Sequence, residues 1–241
     1  MLLLRKGGKF ADRQIDNHRW KAVLFFSVSI LVILVTLYVN LPYVGIAAAV
    51  LTLGMFKTSR RRWRNWTVGK RGEEAVSEAL KSLPNDYVLL NDLMLPNGRG
   101  NVDHLVIGPN GLFVIETKNY SGYVKCWADD WYVNGRKVSS LSKQAKGNAI
   151  AIKNTLEAIF TEHRTRLPYV HALLCFVNSR SRLKLGKPTI PVLRCSELAR
   201  FIGGYGDGPK VRPMTSPDLT RAIVHRLHLL QQKPDKLVAN G

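Results

Sequence analysis

Cysteine is almost absent from this chain. Cys126, Cys175 and Cys195 are odd in number and form no CxxC pair, which rules against a disulfide framework and a zinc site and points to a reducing compartment. His225 and His228 stand three apart without a third or fourth ligand nearby, so they read as surface residues. No GxxxxGK[ST] or GxSxG run occurs, and nothing therefore supports an ATPase or a serine hydrolase. Acidic residues are scarce: 17 Asp and Glu stand against 36 Lys and Arg, a formal net charge of +19 at pH 7.

The surplus is uneven. Residues 1–21 hold six basic and two acidic residues, 57–71 hold seven basic and none acidic, and the remaining 170 hold 23 against 15. Between the two basic flanks charge is missing altogether. Ala22 to Val39 is an uncharged run of 18 residues, a membrane-spanning length near the lower limit. Asn40-Leu41-Pro42 breaks it, and a shorter apolar run continues to Phe56. The expectation is a transmembrane helical hairpin, about 22–39 and 42–56, with both ends cytoplasmic because Lys and Arg flank it on both sides. A single span followed by an interfacial helix stays open. A cleaved signal peptide has a shorter apolar region and no second one. Gly45, Gly54 and Ala47 to Ala49 permit close helix packing. The run RRRWR suits anionic lipid, and the surplus in the soluble part suits a polyanion such as nucleic acid.

The soluble part alternates element types. The pattern predicts a helix over 70–83 and a strand over 87–91. A hairpin of strands over 101–107 and 112–119 follows, then short strands in YVKCW and WYVNGRKV around the Asn134-Gly135 turn. A helix over 140–163, with Ile150, Ile152, Leu156, Ile159 and Phe160 inward, precedes a central strand over 169–178, a short helix over 197–202, a linker over 203–217 and an amphipathic helix over 219–232.

The hairpin NVDHLVIGPNGLFVIETKNY places charges where a buried strand should carry Val or Ile. With Gly108 to Gly111 as the loop, Ile107 pairs with Leu112 and Asp103 falls opposite Glu116. Like charges so placed are destabilising. Lys118 shares the face of Glu116, while Ile115 and Thr117 take the other. A divalent cation held by the two carboxylates, typically Mg²⁺ with substrate phosphates completing its shell, would relieve the repulsion. The plain alternative is an ion pair of Lys118 with Glu116 or Asp103 at a solvated strand end. A three-residue loop with a bulge would instead slip the register by one.

The motifs GKRGEEAV and VLLNDLMLPNGRGNVDHLVIGPNGLFVIETKNYSG, in that order, closely resemble the nuclease-related domain (NERD) family of the PD-(D/E)XK phosphodiesterase superfamily, over about residues 69–202. The resemblance implies a restriction-endonuclease-like mixed α/β sheet flanked by helices. Asp103, Glu116 and Lys118 would then be its metal-dependent centre, with Glu73 as the helix glutamate and Gln144 as the downstream glutamine. Val102 stands where the superfamily has its Pro, which supplies no ligand. The backbone carbonyl of Thr117 would complete a metal set of Asp103, Glu116 and Thr117. Without the resemblance, Glu73 reads as a residue favouring a helix N-terminus and Gln144 as an exposed one. The implied function is a Mg²⁺- or Mn²⁺-dependent nuclease acting on DNA, with RNA as the second candidate, attached to the inner membrane of a bacterium and facing the cytoplasm. A catalytically silent tethered module of the same fold, binding nucleic acid or protein, is the alternative.

Overall fold

The computed structural model describes residues 2–5, 9–40, 42–95, 101–205 and 216–232. The chain divides into two compact units, residues 8–71 and residues 72–241 together with 1–7.

The first unit is a pair of helices. α1 covers Lys9–Tyr38 and α2 covers Pro42–Leu80, joined through Asn40, whose φ of 57° makes the reversal. The two run side by side. The Phe26 and Phe56 rings lie 5.8 Å apart, and Lys70 pairs with Asp12. Gly45 lets the helices close up, since a Cβ there would fall within 2.9 Å of Thr36 Cβ. Gly54 has no such role, because nothing approaches its Cβ position within 4 Å. Among the described residues only α1 is long and apolar enough to cross a membrane, over Asp12–Tyr38. The expected second span at 42–56 is corrected: it is the first part of α2, which continues past Lys57 to Leu80. Its 15 uncharged residues rise about 22 Å at 1.5 Å per residue, short of a hydrocarbon core of about 30 Å.

The second unit is a mixed α/β fold. Its larger sheet has the order β1-β2-β3-β4-β8-β10, formed by β1 (Leu2–Arg5), β2 (Val88–Met94), β3 (Asn101–Gly108), β4 (Gly111–Lys118), β8 (Val170–Phe176) and β10 (Val192–Arg194). The smaller, ordered β7-β6-β5-β9, comprises β5 (Gly122–Trp127), β6 (Asp130–Val133), β7 (Arg136–Val138) and β9 (Ser181–Gly186). β3 and β4 are antiparallel, and β4, β8 and β10 are parallel. The helices are the end of α2, α3 (Leu141–Glu162), α4 (Cys195–Gly203) and α5 (Pro217–Gln232).

Side-chain alternation splits the core in two. Leu112 and Val114 of β4 face α3, α5 and the inner side of the smaller sheet, whereas Phe113 and Ile115 face the end of α2 and α4. The hairpin turn has two residues, Pro109 and Asn110, between paired Gly108 and Gly111, with Ile107 on Leu112 as the hydrophobic pattern demands. Asn110 then donates its amide to the Ile202 carbonyl at 2.5 Å, tying the turn to α4.

α3 starts at Ser140, whose hydroxyl accepts from Lys143 N–H at 3.2 Å, a helix N-cap. Ile150 corrects the expected stripe: it is 58% exposed, because the buried line runs Ala145, Ala149, Ile152, Leu156, Ile159. β1, β9 and β10 have no counterpart in the sequence reading. Most of the expected linker, residues 206–215, lies outside the described residues.

Candidate active site

β4 is buried through Glu116, and only Thr117 and Lys118 at its C-terminal end are half-buried. The β3–β4 ladder stops at His104–Ile115, so Asp103 is not locked against Glu116 as the pairing would have it. Its Oδ2 instead accepts from the Thr117 backbone N–H at 2.7 Å. No described residue gives its other oxygen a hydrogen bond.

Lys118 holds the centre together. Its Nζ donates to Glu116 Oε1 at 2.5 Å and to Gln144 Oε1 at 3.2 Å. This is no solvated strand end, for the side chains are 14% and 3% exposed for Lys118 and Glu116. The second Glu116 oxygen accepts from Asn148 Nδ2 at 3.1 Å. Asn148 was not anticipated, although it stands four residues after Gln144 and so shares its helix face.

Asp92 was also missed. Asn91 pairs with His104 and Leu93 with Val102, so Asp92 lies level with Asp103, and it is 3% exposed. The signal was there to find, since NDLM, like NVDHL, sets an acid inside an apolar strand. Asp92 adopts φ 55° and accepts from the Asn101 side chain. On the opposite face of β3, buried His104 reaches Asn91 Oδ1 at 2.7 Å and Thr117 Oγ1 at 3.1 Å, which fixes the residue whose N–H holds Asp103.

The electrostatics follow from four acids crowded around one amine. Burial, then the charges of Glu116 and Glu73, push the Asp103 carboxyl well above its ordinary range. Burial also raises Glu116 against the lowering pull of Lys118. Burial, then Asp92 and Glu116, lift Glu73 to about 7. The carboxylates around Lys118 raise its pKa in spite of burial, Glu116 foremost.

Among the described residues no group of three or more His, Cys, Asp or Glu is gathered so as to hold a metal ion. The donor set nonetheless suits a divalent cation, with two carboxylates that repel each other and one Asp103 oxygen that receives no hydrogen bond from the described residues. Hard cations with several waters and one or two carboxylates are held in this way. The structure thus brings two hydrogen-bonded sets together at the end of β4, Asp103 with Thr117 and Glu116 with Lys118 and Gln144, with Glu73 inside their electrostatic field.

Comparison with known proteins agrees with that motif order. Residues 68–177 match the family described as nuclease-related domain, NERD, a branch of the PD-(D/E)XK-like nuclease superfamily. An uncharacterized protein of Bacillus anthracis is 40% identical over 60 residues, covering 23% of this chain and 28% of that relative. This chain therefore matches little more than a quarter of the relative's length. No solved structure matches.

Proposed function

We propose that the nuclease-related domain of residues 68–177 is a metal-dependent phosphodiesterase that hydrolyses DNA, with RNA as the second candidate substrate, at the cytoplasmic face of a membrane in which α1 is anchored. The supporting observation is Lys118, buried between Glu116 and Gln144 beside the half-satisfied carboxylate of Asp103. An ammonium so held is costly unless paired, and the arrangement aims it at a place where negative charge can develop.

Mg²⁺ or Mn²⁺ held by Asp103, Glu116 and the Thr117 carbonyl would supply a Lewis acid for a phosphate oxygen and a water of lowered pKa. The chain's own groups do the rest. Thr117 N–H and Asn148 hold Asp103 and Glu116 in place. Lys118 donates to a phosphoryl oxygen as its charge grows. Gln144 keeps the lysine aimed. Glu73, with a pKa of about 7, is poised to take the proton of an attacking water near neutral pH. Water attacks phosphorus, the bridging oxygen leaves, and that proton passes to solvent or to the leaving group.

The test uses the full-length protein in detergent, with Mg²⁺ or Mn²⁺, on plasmid, single-stranded DNA and RNA. Glu116→Gln and Asp103→Asn each abolish cleavage. Lys118→Ala lowers single-turnover cleavage by about 10²–10³, while binding measured in Ca²⁺ weakens slightly and its salt slope falls by about one unit. Equal losses in cleavage and binding, or no cleavage by the wild type on any substrate, would assign the domain to a silent tethered module instead.

A further inference from the structure

Among the described residues the smaller sheet is covered on one side only. Val124, Cys126 and Trp131 are buried in the core, and the Trp131 ring stacks on Phe176 at 5.9 Å. The alternate residues point outward, and they are not an ordinary solvated set. In register across the four strands run Lys137, Tyr132, Lys125 and Lys184. Beside them lie Tyr123 with Arg182 and Trp127 with Gly186.

We propose that this outer face binds single-stranded nucleic acid, its phosphates against Lys125, Lys184 and Arg182 and an unpaired base stacked on Trp127. The role given to that strand, substrate for the centre at the end of β4, rests on the nuclease reading; the binding surface does not.

Charge is the first support. Among the described residues the one acid on the face, Asp130, is already taken by Lys137 at 2.8 Å. Lys125 and Lys184 sit directly beside each other in the parallel register, with no hydrogen bond or ion pair among the described residues. Like charges so placed are destabilising, and a polyanion reverses the sign of that cost. The basic row therefore repeats, with opposite charge, the problem posed by the acids at the end of β4.

The rings are the second support. Arg182 caps Tyr123, its guanidinium 5.3 Å from the ring centroid, and Lys137 lies 6.0 Å from that of Tyr132. Trp127 is 66% exposed and lies over Gly186, where a Cβ would come within 2.5 Å of its ring. The glycine thus lets the indole lie down on the sheet with its other face open. A bilayer would call for apolar side chains standing beyond the cations, and here the largest one lies flat. Aromatic surfaces between cations bind single strands by stacking, and paired bases cannot use them. β5 begins at Gly122, close after β4 ends at Lys118, so surface and centre belong to one continuous stretch of chain.

The test is binding by the full-length protein, in detergent with Ca²⁺, of a labelled single-stranded oligonucleotide and of its duplex. Trp127→Ala weakens single-strand binding by about 5- to 100-fold and leaves the duplex within about twofold. Gly186→Val, which pushes the indole off its seat, reproduces the single-strand loss. Lys125→Gln with Lys184→Gln lowers the salt slope by about 1.4, at about 0.7 per phosphate contact on single strands, and leaves thermal stability equal or higher. Unchanged single-strand affinity and slope in these variants overturn the proposal, as does loss of retention on phosphatidylglycerol vesicles in their place. A wild type that binds through this face yet cleaves nothing keeps the surface and removes the nuclease. A wild type that cleaves while the variants bind normally does the reverse.

Discussion

Glu73 shows how a single group couples the site to pH. Burial and the charges of Asp92, Glu116 and Glu74 lift its carboxyl from an ordinary 4.5 to about 7, so folding favours the protonated form. A raised carboxyl contributes stability that is whole below about 4.5 and is lost as pH rises through about 7. Asp103 and Glu116, raised as well, have the same sign. In EDTA, the melting temperature of the wild type relative to Glu73→Gln should therefore fall between pH 4.5 and 7.5; a rising difference would show that Glu73 is not buried among acids. At this scale the sequence was most legible where it broke its own pattern. Asp103, Glu116 and Lys118 stand out as charges inside apolar strands. Glu73 and Gln144 sit on helices where such residues are ordinary, and only resemblance singled them out. Asn148 is neutral and Asp92 lies on a strand whose pairing could not be counted, since residues 96–100 intervene between β2 and β3.

Elements were legible in proportion to their periodicity. The β3–β4 hairpin fell out in register because an alternating apolar pattern admits no slip of one without turning the core to solvent. α3 and α5 were marked by 3.6-residue stripes and caps. β1, β9 and β10 were not, being short strands whose partners are distant in sequence. The second apolar segment misled for the opposite reason, since helix continuity depends on backbone hydrogen bonds that Lys57 and the arginines do not interrupt. The close approach of α1 and α2 gives a contrast that tests this pairing. Gly45→Leu drives a side chain into Thr36, whereas Gly54→Leu meets open space. In detergent, Gly45→Leu should lower the thermal stability of the helix pair, followed by proteolysis between the helices, and Gly54→Leu should leave it within experimental error. Equal sensitivity of the two would mean that the helices do not pack through Gly45.

For the whole molecule, the proposed anchoring by α1 raises the question of which side of a membrane residues 68–177, which match the nuclease-related family, would occupy. Charge decides it physically. Burying Lys or Arg at a bilayer centre costs about 2.5–3.5 kcal/mol each by insertion scales, and six such residues precede Ala22 while Lys57, Arg60, Arg61, Arg62 and Arg64 follow Phe56. The same helices place those flanks together: α2 returns alongside α1 far enough for Lys70 to reach Asp12, and Phe56 meets Phe26. The flank of 57–71, with seven basic residues and no acidic one, favours the cytoplasm, and an anionic lipid surface adds about 1 kcal/mol per cation. Reporter fusions after Thr58 and at residue 241 should both report cytoplasmic, while a fusion after Lys21 reads the span itself: external where α1 crosses alone, cytoplasmic only where 42–56, at about 22 Å too short by itself, is carried through beside α1. Replacing Arg60, Arg61, Arg62 and Arg64 with Gln should weaken that bias and leave a fraction of the 241 fusion outside. An external signal from the wild-type fusion at 241, with Lys21 cytoplasmic, would put the candidate site out of reach of cytoplasmic nucleic acid.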